Sequence, residues 1–281
     1  MAGPNDMTGG LTNKELHLFF ILDTSGSMQE NRAIEQLQEG MRATLEILKN
    51  KFENSSDVCL KVAVMEFNTG AKWITGGENH LEDIRDFQAI RVEEMGFTAH
   101  GMTYMGYALK MLAEGLSRNT MMKSQTGNKC PIIIFLTDGY PTDNWKGALE
   151  KIRENKWYQQ AVKIGIALGD KADKDVLAQI VGTSEAVVTV EKTNELAKMI
   201  EVLSVTASLS GAVSQTVAPD AGKLAGQAQR EVGETYGTEN RQTQEFEPIH
   251  TPEEGGMPDD PLNIPTEPQQ DDDDLDDLEL D

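Results

Sequence analysis

Four stretches of the chain, residues 16–22 (LHLFFIL), 58–67 (VCLKVAVMEF), 131–136 (PIIIFL) and 162–168 (VKIGIAL), are short, apolar and rich in β-branched or aromatic residues. Two of them, 16–22 and 131–136, have no polar alternate face, which predicts strands buried on both sides as in a parallel sheet. Helical periodicity fills the gaps between them. Ile34, Leu37, Met41, Leu45 and Leu48 recur at steps of three and four and place one apolar stripe toward a core. The same spacing returns in Met105, Ala108, Leu109, Leu112 and Leu116, in Trp145, Ala148, Leu149 and Ile152, and in Leu196, Met199, Ile200 and Leu203. A further strand is expected near 186–191, and residues 71–75 follow Asn68-Thr69-Gly70 closely enough to form the return arm of a hairpin. Strands alternating with helices of ten or more residues predict an α/β fold, a doubly wound, mostly parallel sheet with helices on both faces.

The alternation stops near residue 210. From Gly211 onward the chain holds two aromatics, Tyr236 and Phe246, among prolines and glycines, and it closes on DDDDLDDLELD. Such a composition buries too little apolar surface to offset the entropy of ordering. The expected organisation is a flexible N-terminus over 1–13, a folded domain over 14–208 and a disordered acidic tail over 209–281. Charge follows the same division. The chain has 25 Lys+Arg against 47 Asp+Glu, a net of −22; residues 211–281 hold 19 acidic and 3 basic residues, or −16, leaving −6 for the rest. An acidic chain without a basic stripe is repelled by phosphate backbones and anionic lipid, which argues against nucleic acid and membrane as partners. No basic-then-apolar leader opens the sequence, and no run reaches 18 apolar residues. Cys59 and Cys130 stand 71 positions apart and match no metal-ligand spacing, so a reducing, cytoplasmic setting is the expectation.

Three segments collect small oxygen-bearing side chains at element junctions. DTSGSM at 23–28 ends the first strand, TDGYPTD at 137–143 follows the strand at 131–136, and GMTYMGYAL at 101–109 opens a helix. Open α/β sheets bind ligands beyond the carboxyl ends of their strands, where strand order reverses. Asp23, Ser25, Ser27, Thr103 and Asp138 make a set of hard oxygen donors suited to Mg²⁺, with Mn²⁺ or Ca²⁺ as alternatives. Neutral hydroxyls donate weakly and leave the ion electrophilic, while carboxylates one water further out hold the site together. An ion held in that way recruits an external carboxylate. Asp-x-Ser-x-Ser alone is a weak signal, because Asp23 or Ser27 would also suit helix capping. The three motifs, in order and each at the right junction, carry the argument. Asp143 reads as the N-cap of the helix containing Trp145, and His17 and His100, without a metal-spaced partner, read as packing or surface residues.

These residues resemble the von Willebrand factor A domain family with its metal-ion-dependent adhesion site, whose pattern is Asp-x-Ser-x-Ser, a Thr before a helix, and an Asp after a buried strand. The compact domain and the LTDGYPTD stretch are similar to the bacterial tellurite-resistance, TerY-like group. The resemblance spans about 14–208 and does not reach the tail. It implies that Ser25, Ser27 and Thr103 touch the metal, with Asp23 and Asp138 acting through water. The common Gly-Gly-Thr reads Gly101-Met102-Thr103 here, and Thr98 is a competitor that lacks a following helix. In the family's strand order Cys59 and Cys130 begin strands on either side of the first, about 10 Å apart and too far for a disulfide.

The function so implied is a Mg²⁺-dependent protein–protein interaction module, not an enzyme, that captures an Asp or Glu of a protein partner. Family company suggests a kinase, a phosphatase or a ring-forming ATPase as partner, in a stress-response or defence system. An aspartyl-phosphate-type hydrolase is disfavoured because the place of its second carboxylate is taken by Ser25, and a serine hydrolase because no Gly-x-Ser-x-Gly elbow is present. The alternative is an adaptor, or chaperone-like protein, that works mainly through its acidic tail. That tail could keep the protein soluble or compete for the metal in cis, with Thr243 and Thr251 as candidate phosphorylation sites.

Overall fold

The structure, a computed structural model, describes residues 13–75, 80–88, 96–214 and 217–244. Among these, one sheet is built from β1 (Lys14–Asp23), β2 (Val58–Phe67), β3 (Ala71–Trp73), β4 (Glu82–Asp83), β5 (Ile132–Thr137), β6 (Val162–Leu168) and β7 (Val187–Val190). Its order is β3-β2-β1-β5-β6-β7, with β4 also pairing to β2. The β2-β1-β5-β6-β7 ladder is parallel, and only the short β3 and β4 run antiparallel, both on β2. The doubly wound, mostly parallel sheet expected from the pattern is therefore present. Strand order reverses between β1 and β5, so the loops after these two strands diverge and leave a crevice at their carboxyl ends.

The lack of a polar face on β1 now has its reason. Leu16, Leu18, Phe20 and Leu22 point to one side, into a core shared with the helices α1 (Ala33–Phe52) and α6 (Leu196–Val213), and Phe19 and Ile21 point to the other. There they meet α2 (Met105–Gly115), α3 (Trp145–Arg153) and, farther along the sheet, α5 (Lys174–Val181). A short helix, α4 (Lys156–Gln160), precedes β6. His17 is fully buried and stacks on Phe19 with centroids 6.2 Å apart, the packing role expected of it. Helices α1 and α6 cross closely at Gly40, where a Cβ would come within 2.7 Å of Ala197 Cα. The segment Thr193–Val213 has the length and composition of a membrane span, but its apolar residues are spent on the sheet and α1, with Met199, Leu203 and Ala207 wholly enclosed. Cys59 and Cys130 are free thiols.

The tail expected over 209–281 needs correction at its start. Helix α6 runs on to Val213, and a further helix, α7 (Ala221–Gln244), lies against it and against β6 and β7. Leu224, Ala225, Ala228 and Val232 are buried, a stripe at one-, three- and four-residue steps that uses two alanines for close approach. Asp220 Oδ1 accepts from Lys223 N at 3.1 Å and starts the helix. Gln229 covers the outer edge of β7. Its Oε1 accepts from Thr189 N at 3.3 Å and its Nε2 donates to Thr189 O at 3.0 Å, so the side chain replaces a neighbouring strand at that residue. A thin stripe of mostly small residues in a polar, glycine-bearing stretch does not announce itself by composition. Residues 1–12 and 245–281, with the acidic run at 271–281, lie outside the described residues.

On the opposite edge, Asp83 of β4 ties the end of the sheet together. Its Oδ2 accepts from Lys61 Nζ at 3.0 Å, Arg85 Nη2 at 2.6 Å and Cys59 Sγ at 3.1 Å, and its Oδ1 accepts from Arg85 Nε at 2.9 Å. Burial alone would raise this carboxyl, but the bonds from Arg85, Lys61 and Cys59 overcome it and hold Asp83 below the ordinary carboxylate range. A depressed folded-state value stabilises the fold above the unfolded value, near 4, and this contribution is lost as pH falls from there. Asp83→Asn should therefore cost more stability at pH 7 than at pH 3, with the gap narrowing as pH drops below about 4. Urea melts of both proteins across that range measure it, and an equal cost at both ends would contradict the ion-pair account.

Candidate metal centre

The carboxyl ends of β1 and β5 bring Asp23, Ser25, Ser27 and Asp138 together. Asp23, the last residue of β1, is fully buried; its Oδ1 accepts from Ser25 N at 2.8 Å and its Oδ2 from Thr137 Oγ1 at 2.5 Å. These bonds fold the chain tightly after the strand and turn the two serines toward each other, with their Oγ atoms 3.1 Å apart. Ser27 Oγ donates to Asp138 Oδ1 at 2.7 Å, which links the β1 loop to the β5 loop. Neither Asp23 nor Ser27 is a helix N-cap: in the 3-10 helix Gly26–Arg32 that place is taken by Ser25, which makes no side-chain capping bond, and Ser27 lies inside the helix.

Thr103 reaches the same place from a third loop. A Cβ built on Gly139 would lie 3.7 Å from Thr103 Oγ1 and 3.9 Å from Ser27 Oγ, so both hydroxyls face the small space that the glycine leaves open. The loop bearing Thr103 is anchored along its whole length. His100 N donates to Thr24 O at 2.9 Å, Gly26 N to Gly101 O at 3.1 Å and Tyr104 N to Asn68 O at 2.9 Å. Thr103 N donates to Thr142 Oγ1 at 3.1 Å and Thr142 N returns the bond to Thr103 O at 2.9 Å. Gly101 is needed for its backbone: φ is +76°, and a Cβ there would fall 2.2 Å from Thr69 Oγ1. The family departure at Met102 leaves this path intact, with Met102 N bonded to Thr69 Oγ1 at 3.0 Å and its side chain about half exposed. Thr98 is exposed and lies one turn of loop away; His100 Nδ1 sits 3.0 Å from its carbonyl oxygen.

Of the five residues named from the sequence, Asp23, Ser25, Ser27 and Asp138 thus meet through hydrogen bonds at the strand ends, Asp23 enclosed behind the others, and Thr103 Oγ1 faces the same space beside Gly139. Others that the sequence did not point to hold them there. Thr137 fixes Asp23, Thr142 fixes Thr103, and Asp143 turns out to cap a different helix from the one expected. Its Oδ1 and Oδ2 accept from Gly106 N at 2.9 Å and Tyr107 N at 3.1 Å, at the start of α2 rather than of α3. The -PTD- stretch contained these residues, but which helix end it would meet depends on how the two loops fold together. Of the candidate phosphorylation sites, Thr243 is in the last turn of α7, and Thr251 lies outside the described residues.

The two buried acids of the site resist ionisation. Burial pushes the Asp23 carboxyl up to about 7 against the bonds from Thr137 and Ser25 that favour the charged form. Burial also raises Asp138, opposed by Ser27. Lys171, whose charge acts on Asp138, is already engaged with both oxygens of Glu30 at 2.9 and 3.0 Å. A divalent ion would supply the missing charge. The donor set suits it: two hydroxyls 3.1 Å apart match adjacent corners of an octahedron with bonds of about 2.1 Å, whose corners are about 3 Å apart. Among the described residues no group of three His, Cys, Asp or Glu side chains could form a thiolate, imidazole or all-carboxylate cage. Around the crevice Met102, Tyr107 and Tyr140 stand out as exposed large apolar side chains, with Tyr107 stacked on Tyr104 at 5.9 Å.

An open α/β domain with a hydroxyl-and-carboxylate centre at its strand ends is a ligand-binding class of fold. The chain belongs to the von Willebrand factor type A domain family, whose model matches residues 17–202. Domains of this family are typically protein-interaction modules. Over 185 residues the chain is 28% identical to the human collagen alpha-5(VI) chain, covering 65% of this chain and 6% of that one. It therefore corresponds to a small part of that relative's length. Among solved structures it is similar to a von Willebrand factor type A protein from Catenulispora acidiphila, with a TM-score of 0.55, 17% identity, and coverage of 69% of this chain and 42% of that one. Proximal thread matrix protein 1 from the mussel byssus, solved with a zinc-occupied MIDAS motif, gives a TM-score of 0.53 at 18% identity, covering 67% of this chain and 47% of that one. The pilus adhesin SpaC from Lactobacillus rhamnosus GG gives 0.53 at 13% identity, covering 68% and 30%. At these identities the three structures speak to the fold.

Proposed function

We propose that this chain is a metal-dependent protein-interaction module whose adhesion site is built by Ser25, Ser27 and Thr103 as direct ligands and by Asp23 and Asp138 through water. The observation that carries the reading is the Ser27 hydroxyl, which joins Ser25, Asp138 and the Thr103 side of the crevice at one point. Because Ser27 donates its proton to Asp138, its oxygen lone pairs face the crevice. A bound Mg²⁺, or Mn²⁺ or Ca²⁺, supplies a Lewis-acidic position open to an Asp or Glu of a partner, and the zinc-occupied motif of the mussel protein supports a divalent ion here. Met102, Tyr107 and Tyr140 then offer the partner an aromatic and thioether rim, the side-chain types that dominate interface energetics.

Catalysis is not part of this reading. An aspartyl-phosphate mechanism needs a carboxylate oxygen open to substrate, whereas Asp23 is enclosed and both its oxygens are occupied by hydrogen bonds. The setting we propose is the cytoplasm of a bacterium, in a TerY-like stress-response or defence system, with a kinase, phosphatase or ring-forming ATPase as partner. The compact domain and the LTDGYPTD stretch support that assignment.

Affinity capture with the full chain, with and without EDTA, tests the function. Partner capture should require the divalent ion and should fail for Thr103→Ala at a Mg²⁺ concentration that saturates the wild type. Capture insensitive to both would instead favour an adaptor that works through its acidic tail.

A further inference from the structure

Helix α7 runs toward the side of the sheet that carries the metal centre. The helix runs beside β7 in the strand's own direction. Gly222 begins it against Glu185, where a Cβ would come within 2.9 Å of the Glu185 Cβ; Gln229 pairs with Thr189 in mid-strand; and Tyr236 Oη donates to Asn194 O at 2.8 Å beyond the strand's carboxyl end. Since β1, β5, β6 and β7 are parallel, Tyr236 already stands at the level of the metal loops. Asn194 follows Thr193, whose Oγ1 donates to Asn31 O at 2.9 Å. Thr193 and Asn31 line a groove of about 240 Å³ together with Ser27 and Asp138. Among the described contacts of α7, that of Tyr236 is thus made at the rim of a groove that leads to two of the five site residues.

The lengths allow the connection. Helix α7 continues eight residues past Tyr236 to Gln244, about 12 Å. Three strand spacings separate β7 from β1, about 14 Å. Twenty-six residues lie between Gln244 and Asp271, and the reach of a flexible chain with that many residues is roughly 30 Å. Residues 245–281 hold 15 acidic residues and no Lys or Arg, eight of the acids lying in 271–281.

We propose that a carboxylate of the run 271–281 occupies the open metal position in cis, so that the chain's own tail competes with the partner's Asp or Glu. The proposal rests on the metal-site reading given above. The groove makes the contact conditional. Its walls carry Glu30, Asp138, Asp170 and Glu191, and its one lysine, Lys171, is paired with Glu30, so without the ion these walls repel the tail. With the ion the sign at the centre reverses, and a tether of this length presents the carboxylates at millimolar effective concentration.

Paramagnetic NMR on the ¹⁵N-labelled full chain tests this directly. Substoichiometric Mn²⁺ should broaden domain amides around Ser25 and Thr103 and, to a comparable degree, amides of 271–281, equally at two protein concentrations. In Ser27→Ala both effects should vanish. Truncation after Gln244, which leaves every buried contact of α7 in place, should weaken Mn²⁺ binding by the domain several-fold, because the tail carboxylate no longer completes the coordination. Domain broadening with an unaffected tail, or unchanged Mn²⁺ affinity on truncation, overturns the cis contact and leaves the metal site standing. Tail broadening that survives Ser27→Ala shows the run chelating the ion by itself and also overturns it. Absence of domain broadening defeats both readings.

Discussion

Ser27→Ala should lower the affinity for Mg²⁺ or Mn²⁺ by about 100-fold or more, with little change in the melting temperature. Loss of an outer-shell partner alone typically costs about 10–100-fold in metal affinity. In the proposed site Ser27 combines both roles, a direct ligand whose oxygen lies 3.1 Å from Ser25 Oγ and whose proton orients Asp138 at 2.7 Å. The stability side of the prediction follows from position. Ser27 is only partly buried, in the short 3-10 helix beyond β1, and its removal opens no cavity in either layer of the core. Calorimetric titration of both proteins, with circular dichroism melts alongside, measures the two halves. Full affinity in the variant would remove Ser27 from the ligand set.

Truncation after Ser214 should cost about 3–6 kcal/mol, because it strips Leu224 and Val232 of their burial at roughly 1.5–3 kcal/mol each. For a domain of this size that corresponds to a fall of about 10 °C or more in melting temperature. It also uncovers the β7 edge that Gln229 closes at Thr189, so the truncated protein should associate through that strand. Truncation after Gln244 is the control and should melt as the full chain does. The pair separates the helix from the acidic segment that follows it, which a cut placed at the sequence-derived boundary near 208 would confuse. Equal melting temperatures for the two truncations would mean that α7 adds nothing to the fold.

Much of this protein is legible along the chain because the signals concerned are local. The strands β1 and β5 show themselves as apolar runs without a polar face, and α1, α2, α3 and α6 as stripes at three- and four-residue steps, because each of these elements buries large side chains in a repeating pattern. Asp23, Ser25, Ser27, Thr103 and Asp138 could be named because each stands at a junction between such elements, where a parallel sheet exposes its strand ends. Helix α7 escaped for the opposite reason. Two of its four enclosed residues are alanines, and the others are single apolar positions in a polar stretch, so its stability comes from a sheet edge that composition does not describe.

Sequence alone determined the alternation of strands and helices, the acidity of residues 245–281 and the choice of candidate oxygen donors, since all of these are properties of residues and their spacing. Tertiary structure decided which donors touch. It set the Ser27–Asp138 bond across 111 positions of chain, assigned Asp143 to α2 instead of α3, and laid α7 along β7 so that Tyr236 reaches Asn194 beyond that strand's carboxyl end. Each of those outcomes depends on how far apart packed elements come to rest and which way their ends face, and no local pattern of residues encodes that.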